Sequence, residues 1–379
     1  MKDGGNQPMQ TKIPCVMMRG GTSKGAYFLA SDLPMGGELR DQVLLSVMGS
    51  PDARQIDGIG GANPLTSKVA IVQLSKRQGV DLDYLFTQVF VDEPRTSTLQ
   101  NCGNILAGVG PYAVENRLIN PSDPETTLTI YMENSDSVAD VTFMTPGGAV
   151  DYDGDARIDG VPGTASPVMI NFRDMEGSTS GSLLPTGKLV DIIKGIDVTC
   201  LDNGMPVVLI EAKSIERTGY ESREDLNADV KLKKILEAIR LESGHMMNLG
   251  DVTDKTVPKM TLVSPPRHGG TICTRSFIPH DCHAAIGVFA AVSVGTASTL
   301  PGTVADRVAA VPKGSTKLIS VEHPTGEISI EMQIDDTGNQ PRVKRAALLR
   351  TARRLFEGQV WIPASVWDGK ASKLSHAAE

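Results

Sequence analysis

The sequence has few of the residues that mark several common protein classes. Aromatic residues make up only 4% of its 379 residues, and its five cysteines are widely spaced with no Cys-x-x-Cys pair. The six histidines form no His-Glu-x-x-His pattern, and no Cys/His cluster has the spacing of a zinc site. We therefore expect neither a disulfide framework nor a bound metal. The dinucleotide fingerprint, the phosphate-loop spacing and the nucleophile elbow of serine hydrolases are also missing.

Long apolar runs and a surplus of basic charge are missing as well. The most apolar stretch, residues 284–294, is too short to span a bilayer, and the first twelve residues lack the apolar core of a signal peptide. The net charge of −8 gives the chain no general attraction to nucleic acid or to an anionic membrane. We therefore expect a cytoplasmic protein without nucleic-acid or membrane partners, in which an anionic substrate needs a locally basic site.

Glycine is abundant instead, with 38 residues, while the apolar (40%) and charged (22%) fractions are ordinary for a globular enzyme. The length allows two domains, each with its own core. Helical spacing is predicted at 39–48, 103–116, 229–244 and 284–297, and 183–204 is interpreted as a connection. Predicted strands are 12–18, 25–30, 68–74, 84–91, 128–132, 138–145, 149–158, 167–172, 260–263, 271–277, 317–323, 327–334 and 344–351.

The order of these elements repeats along the chain. Residues 66–72 match 257–263, and the segment 102–105 has a counterpart near 282–286. The repetition predicts an internal duplication into two β-rich halves, each containing one small-residue helix. Such an arrangement would bring both helix N-termini to a cleft between the halves, where ligands commonly bind.

One thiol stands at the start of a predicted helix. The segment Asn101-Cys102-Gly103-Asn104 precedes a glycine- and alanine-rich apolar stretch. A free cysteine is usually a small buried apolar residue. Here the flanking Asn and Gly residues indicate a turn where the backbone approaches a ligand, and helix N–H groups favour a thiolate and a bound carboxylate. Cys102 is therefore a candidate proton donor or acceptor.

Lys68 is a second candidate, because it stands between a glycine-rich loop and the apolar run 69–72. Most lysines at a strand start are solvated, whereas a partly buried amine can act as a base near neutral pH. The segment 19–25 joins glycines to the hydroxyls of Thr22 and Ser23. This segment could cradle a carboxylate or simply form a tight hairpin turn, and the two interpretations are compatible.

A further group lies in the second half. Arg275 could bind a carboxylate through two parallel hydrogen bonds, and His280 or His283 could assist proton transfer. A surface arginine and core histidines explain the same residues equally well. Cys282 could supply a second thiol. The remaining cysteines are expected in the core, and they are Cys15, Cys200 and Cys273.

Eight segments together resemble the methylaconitate isomerase family, and they span nearly the whole chain. Two further segments, YLF at 84–86 and MMNLGDV at 246–252, favour the branch of that family that acts on 4-oxalomesaconate. The eight segments are MRGGTSKG at 18–25, QIDGIGG at 55–61, LTSKVA at 65–70, NCGN at 101–104, DGVPG at 159–163, DNGMP at 202–206, RSFIPH at 275–280 and EHPTG at 322–326.

The resemblance implies an α+β, diaminopimelate-epimerase-like fold of two pseudo-symmetric domains. Each domain would be a β-barrel-like sheet around a central helix. We expect the first domain at 1–185, completed by strands at about 345–363, and the second at 186–344. Residues 364–379 are expected to be a disordered tail.

The resemblance also implies proton transfer without any cofactor, by a lysine and a cysteine. Lys68 and Cys102 occupy those motif positions, and Cys282 is left out of the pair because members of the family need not keep a cysteine there. The partner would be a small polycarboxylate, and a homodimer is compatible with the sequence. The residues expected to bind substrate are Arg19, Thr22, Ser23, Ser67, Asn101, Gly103, Asn104, Arg275, His280 and His283.

Three functions follow as alternatives. The first is an isomerase that moves a proton and a double bond in 4-oxalomesaconate, by a keto–enol or a 1,3-allylic shift, during breakdown of gallate or related aromatic acids. The second is cis–trans isomerisation of 2-methylaconitate or a related unsaturated polycarboxylate. The third is a carboxylate-binding protein without catalysis, which the Lys68–Cys102 pair disfavours because binding alone needs no thiol.

Overall fold

The computed structural model describes residues 9–99, 101–335 and 342–370. Contacts divide these residues into two compact units. One unit holds the chain up to Ile170 together with the residues from Arg350 onward, and the other holds Asn171–Leu349. The division thus falls at 170 and 350, whereas the sequence suggested boundaries near 185 and 345.

The described residues of the first unit form three α-helices and most of the strands of the N-terminal half. The helices are α1 (Gly37–Met48), α2 (Gly103–Leu106) and α3 (Val109–Glu115). The strands are β1 (Gln10–Gly20), β2 (Ser23–Leu29), β3 (Lys68–Leu74), β4 (Leu82–Val89), β5 (Thr96–Ser97), β6 (Glu125–Met132), β7 (Ser137–Met144) and β8 (Pro167–Phe172), whose last two residues belong to the second unit.

The second unit also has three helices. They are α4 (Arg223–Ala228), α5 (Val230–Met246) and α6 (Val288–Thr299). The strands are β9 (Asp191–Ile193), β10 (Ile196–Asp202), β11 (Pro206–Glu211), β12 (Lys259–Ser264), β13 (Ile272–Ile278), β14 (Asp281–Cys282), β15 (Thr316–His323), β16 (Gly326–Asp335) and the long β17 (Arg342–Pro363), which ends in the first unit.

The two units repeat one topology. In the first, β1 and β2 form an antiparallel hairpin, β3 lies parallel to β2, and β4 runs antiparallel to β3. In the second, β10 and β11 form the antiparallel hairpin, β12 lies parallel to β11, and β13 runs antiparallel to β12. In the first unit, β6 lies parallel to β4 and antiparallel to β7. In the second unit, β15 likewise lies parallel to β13 and antiparallel to β16. The predicted α+β class and the internal duplication are confirmed.

Within the first unit the sheet wraps around the α2–α3 segment, which contacts β1, β2, β3 and β7. Glycines permit this close approach. A Cβ atom added to Gly110 would lie 2.5 Å from the Phe143 ring. The helix α1 covers the opposite face of the same sheet, where its Val43 and Val47 pack with Val69 and Ile71 of β3. The C-terminal part of β17 pairs with β1, so the chain returns to this unit.

Four local predictions were wrong or incomplete. The predicted helix at 103–116 is interrupted at Ala107 and Gly108, because Pro111 has no N–H to donate to the Ala107 carbonyl. The predicted strand at 149–158 is a loop with one isolated bridge, from Ala156 to Ala165, since its acidic residues and Gly154 favour turns. The helix expected from residue 284 begins at Val288, and the expected connection at 183–204 contains β9 and β10.

Part of the expected tail is described. Residues 364–370 fold back on β1, where the Ala364 N–H donates to the Met9 carbonyl (3.1 Å) and the Thr11 hydroxyl to the Trp367 carbonyl (2.5 Å). The rest, 371–379, lies outside the described residues. Among the helices in the described chain, none has both the length and the apolar character to cross a membrane.

Candidate active site

Lys68 is the first residue of β3 and is buried, with 8% of its surface exposed. Val69 and Ile71 face α1, so the alternation along a strand points Lys68 toward the face that packs on α2. Its Nζ donates to Gln88 Oε1 at 2.7 Å and lies 5.0 Å from the centre of the Phe86 ring. The amine is therefore held inside the sheet rather than solvated.

Cys102 is the N-cap residue of α2 and is partly exposed. Its backbone is extended, its carbonyl accepts from the Leu106 N–H (3.0 Å), and its side chain makes no capping hydrogen bond within the described chain. The Tyr84 hydroxyl donates to the same carbonyl at 3.3 Å. Burial is the main cause that raises the pKa values of Tyr27 and Tyr84 well above 10, so both phenols stay neutral.

One face of β4 connects the two candidates. Tyr84, Phe86 and Gln88 are alternate residues of this strand, so their side chains share a face. Tyr84 contacts the backbone of Cys102, and Gln88 holds the amine of Lys68. The structure therefore places the Lys68 amine and the backbone of Cys102 beside the same face of β4.

The glycine pair of the MRGGTSKG segment lies against the start of α2. A Cβ atom at Gly20 would be 2.2 Å from the Asn104 carbonyl oxygen, and one at Gly21 (φ 51°) would be 2.1 Å from Asn104 Oδ1. Only glycine fits at both positions. Asn104 Nδ2 donates to Thr22 Oγ1 at 3.0 Å, so the Thr22 hydroxyl keeps its own proton for another acceptor.

Ser23 presents a buried hydroxyl that has no hydrogen-bond partner in the described chain, although only 2% of the residue is exposed. Asn101 donates through Nδ2 to Ser135 Oγ, while its buried Oδ1 has no such partner among the described residues. Buried polar atoms without a hydrogen-bond partner are rare in folded proteins. Where they occur, a bound ligand is one of the groups that can complete their hydrogen bonding. Gly103 begins α2 directly after the thiol.

Ser67 is fully buried and differs from this pattern. Its hydroxyl accepts from Gln55 Nε2 (2.7 Å), and Gln55 also donates to Ser50 Oγ (3.0 Å) and accepts from the Ala62 N–H (2.9 Å). The Ser67 hydroxyl thus helps to hold the loop that leads to Lys68, and its contact with substrate stays a prediction.

Arg19 lies on the other face of β1 from Gly20 and Asn104. Its Nη1 donates to the carbonyls of Gly21 and Thr351 and to the Thr351 hydroxyl, at 2.9–3.0 Å. Burial, together with the charge of Arg353, lowers its pKa. Arg19 therefore holds the hairpin in place, and its predicted contact with substrate stays a prediction.

A basic residue that the sequence did not reveal takes a place beside the thiol. Arg350 donates through Nε to Asn104 Oδ1 at 3.0 Å. Burial lowers its pKa to about 10, while its electrostatic interaction with nearby Cys102 acts in the opposite direction. Its position in an alternating strand, between the buried Leu348 and Ala352, is the signal that would have identified it.

The predicted residues of the second unit are engaged within that unit. Arg275 donates to the carbonyls of Glu221 (3.0 Å) and Thr274 (2.9 Å). The ring of His283 accepts from the Ala285 N–H at 2.9 Å. His280 is exposed on the surface, 3.5 Å from a carboxylate oxygen of Glu237.

Cys282 belongs to the hydrophobic core of the second unit, and burial raises its pKa to about 11. The residue that precedes α6 is Gly287, so no thiol stands where Cys102 stands before α2. Burial also raises the pKa values of Cys15 and Cys200 to about 12, which agrees with their predicted core positions. No group of three or more His, Cys, Asp or Glu residues in the described chain could hold a metal ion.

Comparison with known proteins identifies relatives over nearly the full length. A family model described as PrpF protein matches residues 10–363. The chain is 58% identical over 349 residues to the (4E)-oxalomesaconate Delta-isomerase of Novosphingobium sp., covering 92% of this chain and 97% of that protein. It is 56% identical over 360 residues to the 4-oxalomesaconate tautomerase of Pseudomonas putida, covering 95% and 99%. The crystal structure of methylitaconate-delta-isomerase matches with a TM-score of 0.85 at 34% identity, covering 98% of this chain and 100% of that one.

Proposed function

This chain belongs to the PrpF protein family, and from that premise we propose that it is an isomerase of 4-oxalomesaconate. Both relatives above 50% identity carry that substrate in their names, one as a Delta-isomerase and one as a tautomerase. The two names correspond to a 1,3-allylic shift and a keto–enol shift, and both reactions begin with removal of a proton from an acidic carbon. The observation that supports this chemistry is that side chains on one face of β4 bind both the Lys68 amine and the backbone carbonyl of Cys102.

In the proposed mechanism Lys68 and Cys102 are the base and the acid. The Lys68 amine removes a proton from the carbon next to the conjugated system, and the electron pair moves into an extended enolate. The Cys102 thiol returns a proton at the other end of that system, which shifts the double bond without net change in composition. Exchanging the two roles gives the alternative mechanism, which a separate experiment below distinguishes.

The remaining residues of the site would hold negative charge. The hydroxyls of Thr22 and Ser23 and the start of α2 can donate to the substrate carboxylates. Arg350 is buried close to the thiol and supplies positive charge near the developing enolate. No step of this mechanism needs a metal or an organic cofactor.

Finer parts of the proposal concern the setting of the enzyme. Ring cleavage of gallate or a related aromatic acid produces an unsaturated keto-polycarboxylate, which is the substrate class proposed here. We propose that the reaction takes place in the cytoplasm. We also propose that the enzyme needs no other protein, and a homodimer of this chain is compatible with that.

The test is an ultraviolet absorbance assay on purified protein with 4-oxalomesaconate and 2-methylaconitate as alternative substrates. We expect turnover of 4-oxalomesaconate, at a kcat/KM at least about tenfold above that for 2-methylaconitate. The reverse preference would support the second function, which the match to methylitaconate-delta-isomerase favours. Binding of either acid without turnover would support the non-catalytic alternative.

A further inference from the structure

We propose that Gln88 is a positioning residue that holds the Lys68 amine in its reactive place. The inference rests on the proposed function, because it assigns Lys68 a role in proton transfer. Lys68 and Gln88 are directly opposite each other in the antiparallel β3–β4 pair. Neither the sequence patterns nor the comparisons with relatives single out Gln88.

The orientation of the Gln88 amide is fixed by three acceptors. Its Nε2 donates to the carbonyls of Pro64 (3.1 Å), Ser67 (3.0 Å) and Val89 (3.3 Å). A carbonyl oxygen can only accept, so the NH2 group must face this side of the pocket. A flipped amide would place Oε1 against three other oxygens. The oxygen of Gln88 is therefore directed at Lys68.

The Lys68 amine is held from two sides. Nζ donates to Gln88 Oε1 at 2.7 Å, and the face of the Phe86 ring lies 5.0 Å from it. A lysine side chain has four rotatable carbons and considerable rotamer entropy when nothing restrains it. The pair of contacts restricts the amine to one position, which is what a proton transfer in a fixed geometry requires.

An uncharged partner suits a residue that must gain and lose a proton. Gln88 Oε1 can accept from Lys68 whether the lysine is an amine or an ammonium ion, since both forms carry N–H groups. A carboxylate in the same place would favour the ammonium form strongly. Gln88 thus holds the position of Nζ without fixing its protonation state.

Two variants separate this role from a structural one. Gln88→Met keeps the size of the side chain and removes the oxygen, and we expect kcat to fall by about 10- to 100-fold with KM changed less than about threefold. Gln88→Glu keeps the oxygen and adds charge, so the limb of the pH–rate profile that depends on lysine ionisation should move to higher pH. Gln73→Met, on the exposed end of β3, is the matched control and should leave both parameters unchanged.

A measurement independent of turnover completes the test. In protein labelled with 15N at lysine Nζ, Lys68→Met identifies the Lys68 signal. Gln88→Met should narrow that signal or shift it toward the position of mobile lysines, while the melting temperature stays close to that of the wild type. Unchanged Lys68 dynamics in Gln88→Met would overturn the proposal, even if the protein acts on none of the acids tested. An unchanged kcat in an active protein would overturn it equally. Full activity in Lys68→Met would instead refute the proposed mechanism.

Discussion

Lys68 and Lys259 occupy equivalent positions in the two units, and within the described residues only Lys68 has a side-chain oxygen as its partner. Each is the first residue of a strand that runs parallel to the second strand of a hairpin, and each is 8% exposed. Lys68 faces Gln88 across the sheet. Extending the β12–β13 register by one residue from the Met260–Phe277 pair places the apolar Ile278 opposite Lys259. Duplication has preserved the lysine and changed its surroundings.

The first prediction concerns the stability cost of Lys259. Burial lowers its pKa, so the folded state disfavours the charged lysine. This cost is fully present below the folded pKa and disappears as the pH rises from there toward the unfolded value near 10.5. Lys259→Met should therefore raise the melting temperature at pH 7, and the gain should shrink at pH 10. The exposed Lys213→Met serves as control, and a lower melting temperature for Lys259→Met would contradict the argument.

A second prediction concerns the close approach of Gly20 to α2. An added methyl group would lie 2.2 Å from the Asn104 carbonyl oxygen, which is backbone and can move only with the helix. We expect Gly20→Ala to destabilise the protein by about 1–3 kcal/mol and to reduce kcat, as measured by chemical unfolding and by the absorbance assay. In Gly37→Ala, where an added Cβ meets no atom within 4 Å, both quantities should stay near their wild-type values.

These two cases show which parts of the fold the sequence could predict. The repeat of 66–72 at 257–263 predicted corresponding strands in the two halves, one beginning at Lys68 and the other directly after Lys259, because apolar runs after a turn define strands locally. The break at Gly108 and the loop at 149–158 were missed, since they come from Pro111 and from turn residues, which a periodicity argument ignores. The close contact of Gly20 with Asn104 joins segments more than eighty residues apart and leaves no local pattern.

The third prediction is a pH dependence of stability centred on Glu322. Burial raises the pKa of this carboxyl, but the N–H groups of Arg267 (2.8 Å), His268 (2.7 Å) and Gly270 (2.9 Å) outweigh burial and lower it. A lowered pKa contributes stability that is present above the unfolded value of about 4.5 and is lost as the pH falls through the folded value. Glu322→Gln should destabilise the protein by about 1–3 kcal/mol at pH 7.

The difference in the free energy of unfolding between Glu322→Gln and the wild type should disappear as the pH is lowered. Urea unfolding of Glu322→Gln and of the wild type between pH 3 and pH 7 measures it directly. Glu125→Gln, at the exposed start of β6, controls for loss of any single carboxylate. A gap for Glu322→Gln that stays constant over this range would show that the carboxylate charge does not hold the 267–270 loop.

The fourth prediction concerns Arg350, which donates to Asn104 beside the thiol. A lysine keeps the charge but cannot reproduce the planar Nε–H donor, so Arg350→Lys should release the Asn104 side chain and with it Thr22. We expect kcat/KM to fall by about tenfold to a hundredfold with little change in melting temperature. Arg354→Lys, on the same strand and paired with Glu115, should keep its activity. Equal losses in the two variants would assign the effect to the strand rather than to the site.

The candidate site was only partly accessible from sequence, for a physical reason. Lys68 and Cys102 stand in local motifs whose turn residues and apolar runs predict their placement. Gln88 and Arg350 lie within ordinary strands. The alternation along the strand marks Arg350 as facing inward, but the role of each residue comes from a partner that is distant in the sequence.

The last prediction assigns the two proton-transfer roles by isotope exchange. If Lys68 is the base, Cys102→Ser should still remove the substrate proton, and in D2O the substrate should acquire deuterium at that carbon faster than product forms. Lys68→Met should then show neither exchange nor product. The reversed assignment exchanges these outcomes, because the variant that keeps the base keeps the exchange. Proton NMR of the recovered substrate measures the deuterium content, and circular dichroism verifies that both variants are folded. Exchange at the wild-type rate in both variants would mean that another group removes the proton, and neither residue could then be the base.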